Sequence, residues 1–327
     1  KLTKDISLSK KIDETSGLEI IDGQFITHND SGGDPKLYYL DKKGKIVFER
    51  TLEGVAIEEL KSLPQIIGAN TIEDYEKAKH FFESMGVKVL DKIKLEEAEL
   101  AKLLCNSERD LYFALANEIA LICEDLDISA SNVIKSSTEG YSRSSLKIPG
   151  LVGGPCLEKD PFILKQSLPN FNFKLLTKSR EIHESIISNA IIRIKRNIQS
   201  NMEIEKISIL GCAFKGFPVT ADVRGSLIYE LREQLLRVFE GVSINFHDFL
   251  ADEVNAQDNS INASSNIEDT IEGADILIIQ NNHPSYKDID WKDLKSKTAK
   301  NIIVYDFWSQ LNVTNIEGLK YISLGEG

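Results

Sequence analysis

Four short apolar runs in the last third of the chain, Lys206–Phe214, Val242–Asp248, Ala274–Gln280 and Asn301–Phe307, constrain the fold most. Each has the length of a strand and is too short for a buried helix. Between the first two, Ser226–Phe239 carries helical periodicity. Strands that alternate with helices in this way build a parallel sheet with helices on its faces. Ligands of such sheets sit beyond the carboxyl ends of strands, and Lys215, Asp248 and His283 fall just past the ends expected here.

Upstream, Leu95 to Leu126 reads as one long helix, amphipathic in its first half. From Leu111 to Cys123 it is apolar on every side except Asn117 and Glu118, which predicts enclosure by other protein, as in a domain connector or dimer core. Further helices are expected at Ala130–Ser136, Pro161–Gln166 and Lys178–Ile198. A strand–helix–strand unit is expected over Gln65–Gly68, Thr71–Met85 and Val87–Leu90, with Thr71 and Asp74 as a capping box. Residues 1–45 are polar and turn-rich, with Asn29–Pro35 as a loop and short strands at Leu37–Leu40 and Lys45–Glu49.

A chain of 327 residues with 42% hydrophobic content can bury two or three cores. Its net charge of −12 argues against nucleic acid or an anionic membrane surface as partner. An anionic ligand would need cations gathered locally. The four cysteines show neither zinc spacing nor a disulfide framework, which fits a reducing cytoplasm, and no metal site is expected. Cys105, Cys123 and Cys212 lie in apolar runs and read as buried thiols. No apolar run reaches the length of a membrane span. The sequence starts at Lys1 rather than Met, from which we expect residues upstream to have been removed.

Cys156 is different. It follows Gly153-Gly154-Pro155 and precedes Asp160-Pro161, where a helix start is expected. Glycines admit close backbone approach, and a thiol at a helix N-terminus feels the positive end of the dipole, which favours the thiolate. That suits a covalent nucleophile held against a phosphate-bearing substrate. The plain alternative is an N-cap with a first-turn proline and a structural cysteine. Lys102 and Asn106, four apart on a helix, project toward one point and could hold an oxyanion or a water, although by themselves such a pair is far more often a solvated face.

Four segments in order resemble the UDP-glucose/GDP-mannose dehydrogenase family, the NAD-dependent nucleotide-sugar 6-dehydrogenases. They are Glu49–Gly54 with Leu63–Gly68, Ala98–Asn106 continuing through Arg109 to Glu118, the cysteine loop, and Leu210–Lys215 with Asp222–Ser226. The resemblance covers roughly residues 46 to 327. It implies an N-terminal α/β, NAD-binding-like part at 1–92, present only as a remnant. A central helical dimerisation domain at 93–200 and a C-terminal Rossmann-like, UDP-sugar-binding domain at 201–327 follow. It further implies oxidation of a UDP-sugar 6-hydroxyl to the uronate, with Cys156 capturing an aldehyde as a thiohemiacetal that becomes a thioester. Asp160, Lys102, Asn106 and Glu49 would assist; Lys147, Arg143, Tyr141, Gly153, Phe214 and Lys215 would hold the substrate; Arg224 and Glu53 would meet NAD. Val152 and Pro161 look more like the enzymes of UDP-N-acetyl-hexosamines, whereas Lys159 points toward UDP-glucose.

The sequence also departs from the family. No G-x-G-x-x-G turn is present, Phe48 stands where proline is usual, and His183 stands where asparagine is expected. Asp306-Phe307-Trp308 replaces Asp-x-Arg and removes a positive charge. Either the sequence is incomplete and the enzyme is NAD-dependent, or the protein is a non-oxidising nucleotide-sugar-binding or assembly relative. A homodimer is expected in both cases, since Leu111–Cys123 carries more apolar surface than one small domain covers. Sedimentation at micromolar concentration should therefore give a dimer; a compact monomer would contradict this expectation.

Overall fold

The computed structural model describes residues 15–21, 24–29, 36–40 and 46–51 as backbone, and residues 62–327 with side chains except at 158, 201, 312, 314 and 315. The chain divides into two compact units, Lys1–Lys102 and Leu103–Gly327.

In the first unit, β1 (Thr15–Ile21), β2 (Gln24–Asn29), β3 (Lys36–Leu40) and β4 (Ile46–Thr51) form an antiparallel meander in the order β1-β2-β3-β4. Only the last two were expected. β1 and β2 arise inside a segment whose polar residues hide short period-2 stretches such as Leu18-Glu19-Ile20. Residues 30–35 of the expected loop lie outside the described residues. Helix α1 (Ile72–Ser84) starts as expected, with the Thr71 hydroxyl accepting from the Asp74 N–H at 3.1 Å. The flanking strands are reduced to single parallel bridges, Gln65 with Val89 and Gly68 with Ile93. Ile67, Ala69 and Tyr75 are the buried centre here, and the Tyr75 hydroxyl donates to the Leu90 carbonyl at 2.9 Å.

Helix α2 (Leu95–Asp125) matches its expected span almost to the residue. Its enclosure is one-sided: Ala114, Ala116, Asn117, Ala120 and Cys123 are buried, while Tyr112, Leu115, Ile122 and Leu126 are exposed. Cys105 is exposed, contrary to expectation, because it shares the outward face with Leu104. Cys123 and Cys212 are buried as expected. Helices α3 (Ala130–Thr138), α4 (Pro155–Ser167) and α5 (Lys174–Asn197) complete the helical part.

The second unit ends in a five-stranded, all-parallel sheet of β5 (Lys206–Leu210), β6 (Ser243–His247), β7 (Ile276–Ile279), β8 (Ile302–Asp306) and β9 (Leu319–Ser323). Its order is β6-β5-β7-β8-β9, so the connections reverse direction between β5 and β7. The fifth strand escaped the sequence reading, since Lys320 interrupts its apolar run. Side chains alternate across the sheet. Ile276 and Ile278 join the core formed with Ile186, Ile187, Ala190 and Ile194 of α5, whereas Leu277 and Ile279 face Tyr286, Trp291 and Leu294. Helices α6 (Ile228–Val238), α7 (Ala251–Gln257), α8 (Ile267–Ile271) and α9 (Trp291–Leu294) lie among the strands in sequence.

His247 ends β6 fully buried, its Nδ1 3.0 Å from the Tyr286 hydroxyl. Burial, above all, pushes its pKa down to about 4, from an ordinary 6.5. His183 and His283 are shifted down by burial as well. The unfolded chain therefore binds protons before the folded one does. Stability should be flat above pH 6.5 and fall as the pH drops from 6.5 toward 4, by about 2 kcal/mol at pH 5 for a group like His247. Urea midpoints at pH 7.5 and 5 check this, and His247→Gln should flatten the slope.

Candidate active site

The cysteine loop ends in a glycine hairpin that no side chain could enter. A Cβ on Gly153 would stand 2.4 Å from the Gly225 carbonyl oxygen, and one on Gly154 2.6 Å from the Phe214 ring. Gly154 has φ of +107° and donates its N–H to the Gly225 carbonyl at 2.7 Å. That turn starts α4 at Pro155, the first helical position, six residues earlier than expected. Asp160-Pro161 is thus not a helix start. The pair mimics an N-cap in sequence but lies inside the helix.

Cys156 occupies the second helical position and is exposed. Asp160, one turn further along, is buried, and its Oδ2 accepts from Asn106 Nδ2 of α2 at 2.5 Å. Lys159 Nζ lies 4.0 Å from the other carboxylate oxygen. A thiol and a buried, amide-bonded carboxylate thereby share the head of one helix. Pro161 cannot donate to the Leu157 carbonyl four residues back. Arg180 Nη1 does so instead, at 3.3 Å, and the same nitrogen reaches buried Asp110 at 3.0 Å. Asp110 also accepts from the Ser179 hydroxyl at 2.9 Å.

His183, the departure noted in sequence, fits this network. Its Nε2 is 3.1 Å from the Asp110 carbonyl and its Nδ1 3.4 Å from Asn117 Nδ2, a pattern satisfied by the Nε2–H tautomer.

Beside the loop lies a cavity of about 710 Å³, within the range of small-molecule sites. Gly153 and Leu157, on either side of Cys156, line it. So do Arg109, Lys147, Lys215 and Lys287, with Phe113, Phe214, Phe217 and Trp308 as aromatic walls. No carboxylate is among its described lining residues. The cavity is lined by the loops that follow β5, β7 and β8, beyond the carboxyl ends of the strands where the connections from β5 and β7 run to opposite sides of the sheet. Four cations against a chain of net charge −12 make a local positive field suited to a polyanion.

Of the residues picked from sequence, Lys147, Gly153, Phe214 and Lys215 line the cavity. Tyr141 and Arg143 are exposed and do not. Lys102 belongs to the first unit and stands four residues before Asn106 in α2. Glu49 lies in β4, opposite Tyr38, and Glu53 lies outside the described residues. Arg224 is exposed and committed to Asp222 at 2.6 Å; this pairing raises the Arg224 pKa and holds the Asp222 carboxyl below its ordinary range. Sequence reasoning missed Lys287, Phe217 and Gln310, which carry no local signal, and the cavity-facing role of Trp308. It had flagged Asn117 as the polar exception in an apolar helix, but not its task. Asn117 accepts the Gly150 N–H at 2.9 Å and donates to the Gly150 carbonyl at 3.1 Å.

These residues offer NAD no cradle. The sequence has no glycine-rich phosphate turn, and the guanidinium expected to meet the cofactor is taken up by Asp222. The described residues do not fit the cofactor.

Removing the amide in Asn106→Ala should leave a buried carboxylate short of a partner and cost about 1–3 kcal/mol, read as a lowered urea midpoint.

Comparison with known proteins agrees with this geometry. Residues 96–185 match the central domain of the UDP-glucose/GDP-mannose dehydrogenase family, and residues 208–313 match its UDP binding domain. The UDP-N-acetyl-D-mannosamine dehydrogenase of Methanocaldococcus jannaschii is 32% identical over 288 residues, covering 85% of this chain and 63% of that protein. The chain thus spans under two thirds of that relative's length. The UDP-D-ManNAc dehydrogenase of Pyrococcus horikoshii superposes with a TM-score of 0.71 at 26% identity, covering 85% of this chain and 63% of the other. The UDP-N-acetyl-mannosamine dehydrogenase Cap5O of Staphylococcus aureus gives 0.67, also at 26% identity, with the same coverage. Two matched domains, in order and over more than half its length, make this chain a member of the UDP-glucose/GDP-mannose dehydrogenase family.

Proposed function

We propose that this chain is the substrate-binding, thiol-bearing part of a nucleotide-sugar 6-dehydrogenase that oxidises a UDP-sugar to its uronate, with UDP-N-acetyl-hexosamine as the substrate class. The observation that carries this is the exposed Cys156 at the head of a helix, one turn before the buried Asn106–Asp160 pair, at the edge of a four-cation cavity. The names of the relatives and Val152 and Pro161 support the N-acetyl-hexosamine choice. The matched family regions, 96–185 and 208–313, support a central domain at 93–200 and a UDP-sugar domain at 201–327, and the NAD-binding-like remnant at 1–92 is what the resemblance implies.

The diphosphate takes its charge balance from Lys147, Lys215, Lys287 and Arg109, and the rings of Phe113, Phe214 and Phe217 take the flat base. The Cys156 sulfur adds to the 6-aldehyde carbon; a C–S bond forms, and the carbonyl pair moves to oxygen and takes up a proton. In the later hydrolysis, water adds to the acyl carbon and the C–S bond breaks, returning the pair to sulfur. Asp160, held by Asn106, receives the proton of that water. The resemblance further implies assistance from Lys102 and Glu49 and substrate contacts from Tyr141 and Arg143. Each oxidation needs a hydride acceptor, which NAD would supply in the enzyme the resemblance implies; the described residues provide no seat for it.

The commitment of Arg224 to Asp222 favours a second reading, a nucleotide-sugar-binding or assembly relative that does not oxidise. In both readings the chain is a cytoplasmic homodimer, which its free cysteines and the exposed Tyr112–Leu115–Ile122 face support. No described helix is long and apolar enough to cross a membrane.

Calorimetric titration with UDP should release heat, and Cys156→Ser should bind equally well. A UDP-N-acetyl-hexosamine carrying a 6-aldehyde should consume the Cys156 thiol and add its mass to the protein, and Cys156→Ser should form no adduct. Absence of UDP heat would overturn the reading; binding without an adduct would favour the binding relative.

A further inference from the structure

Gly150 is gripped from two sides. On one, Asn117 makes paired hydrogen bonds to its N–H and carbonyl, at 2.9 and 3.1 Å, from a side chain wholly buried in α2. On the other lies Trp308. A Cβ on Gly150 would meet three consecutive atoms of the six-membered indole ring, Cζ3, Cε3 and Cη2, at 2.5, 2.6 and 2.7 Å. Distances so nearly equal put that Cβ over the ring face, not at its edge. Glycine is the residue that lets the loop backbone lie flat on the indole.

The indole itself is fixed. Its Nε1 donates to the Gln280 carbonyl at 2.9 Å, and its backbone N–H to Asp306 at 2.9 Å. Asp306 is fully buried and also accepts from the Gln310 and Leu311 N–H groups and the Tyr321 hydroxyl, so the turn after β8 has one conformation to offer. Trp308 also lines the cavity. One ring therefore touches both the cysteine loop and the space where a ligand would sit.

We propose that Trp308 and Asn117 are positioning residues of the thiol. They hold Gly150 between the β8 turn and helix α2, and so set where the loop presents Cys156 to the reacting carbon. Trp308 does so from the wall of the cavity itself. This rests on the nucleotide-sugar reading above.

The experiment compares two reactions of the same sulfur in a Cys105→Ser background, which leaves Cys156 as the one exposed thiol. Iodoacetamide reports on the thiol as such. The 6-aldehyde of a UDP-N-acetyl-hexosamine, at saturating concentration, reports on the thiol in its place. Trp308→Ala and Asn117→Ala should each slow aldehyde capture by about fivefold, the size of a coupling between contacting groups, and leave alkylation within about twofold. Trp308→Phe keeps a flat ring and should recover most of the capture rate. Because both residues act through Gly150, the double variant should lose less than the product of the single losses.

If the alanine variants do not fold, Trp308→Phe and Asn117→Asp carry the comparison. The second keeps the acceptor for the Gly150 N–H, loses the donor, and should give a smaller loss of capture alone. Capture as fast in the alanine variants, or in Asn117→Asp, as in the parent overturns the inference, as does a fall in both reactions together. A parent that gives no UDP heat and no adduct overturns the nucleotide-sugar reading and this inference with it.

Discussion

The contact between the Gly153–Gly154 hairpin and the loop that follows β5 governs the rest of the second unit. With 2.4 Å from a would-be Cβ to the Gly225 oxygen, two backbones touch where ordinary residues would hold them apart. The helix carrying Cys156 begins at once after this contact, and its direction follows from the unusual φ of Gly154. Phe214 closes the same contact and then turns to the cavity, so one packing event joins the nucleophile's helix to the ligand space. Any longer side chain in the hairpin would part these surfaces.

Charge follows a similar logic. The chain is acidic overall, yet its central acids are drawn inside and bonded: Asp110 to Arg180 and Ser179, Asp160 to Asn106, Asp306 to three backbone N–H groups and a tyrosine. Burial still raises the Asp306 pKa despite those bonds. Withdrawing carboxylates from the cavity rim leaves Arg109, Lys147, Lys215 and Lys287 to set the local potential.

What could be read from sequence was what periodicity encodes. Helix Leu95–Asp125 and the parallel strands stood out because many residues repeat one signal. The start of α4 did not. Asp160-Pro161 imitates a cap, and the positive φ at Gly154 that sets the true start is a tertiary outcome. The exposure of Cys105 was a matter of helical phase, lost among its apolar neighbours. Lys287 and Trp308 meet Arg109 and Lys147 across 140 to 199 residues of sequence, and only the closed fold puts them around one space. Asn117 was visible as a misfit, but its partner, a glycine backbone, leaves no trace in composition.

Pro161 turns a missing helical bond into a link between helices. A proline in mid-helix leaves the oxygen of Leu157 unclaimed, and Arg180 takes it while also holding the acid on the neighbouring helix. A gap in one ladder has become a socket for another. Three helices, α2, α4 and α5, are thereby cross-linked at one guanidinium, and on α4 the link falls on the residue next to Cys156.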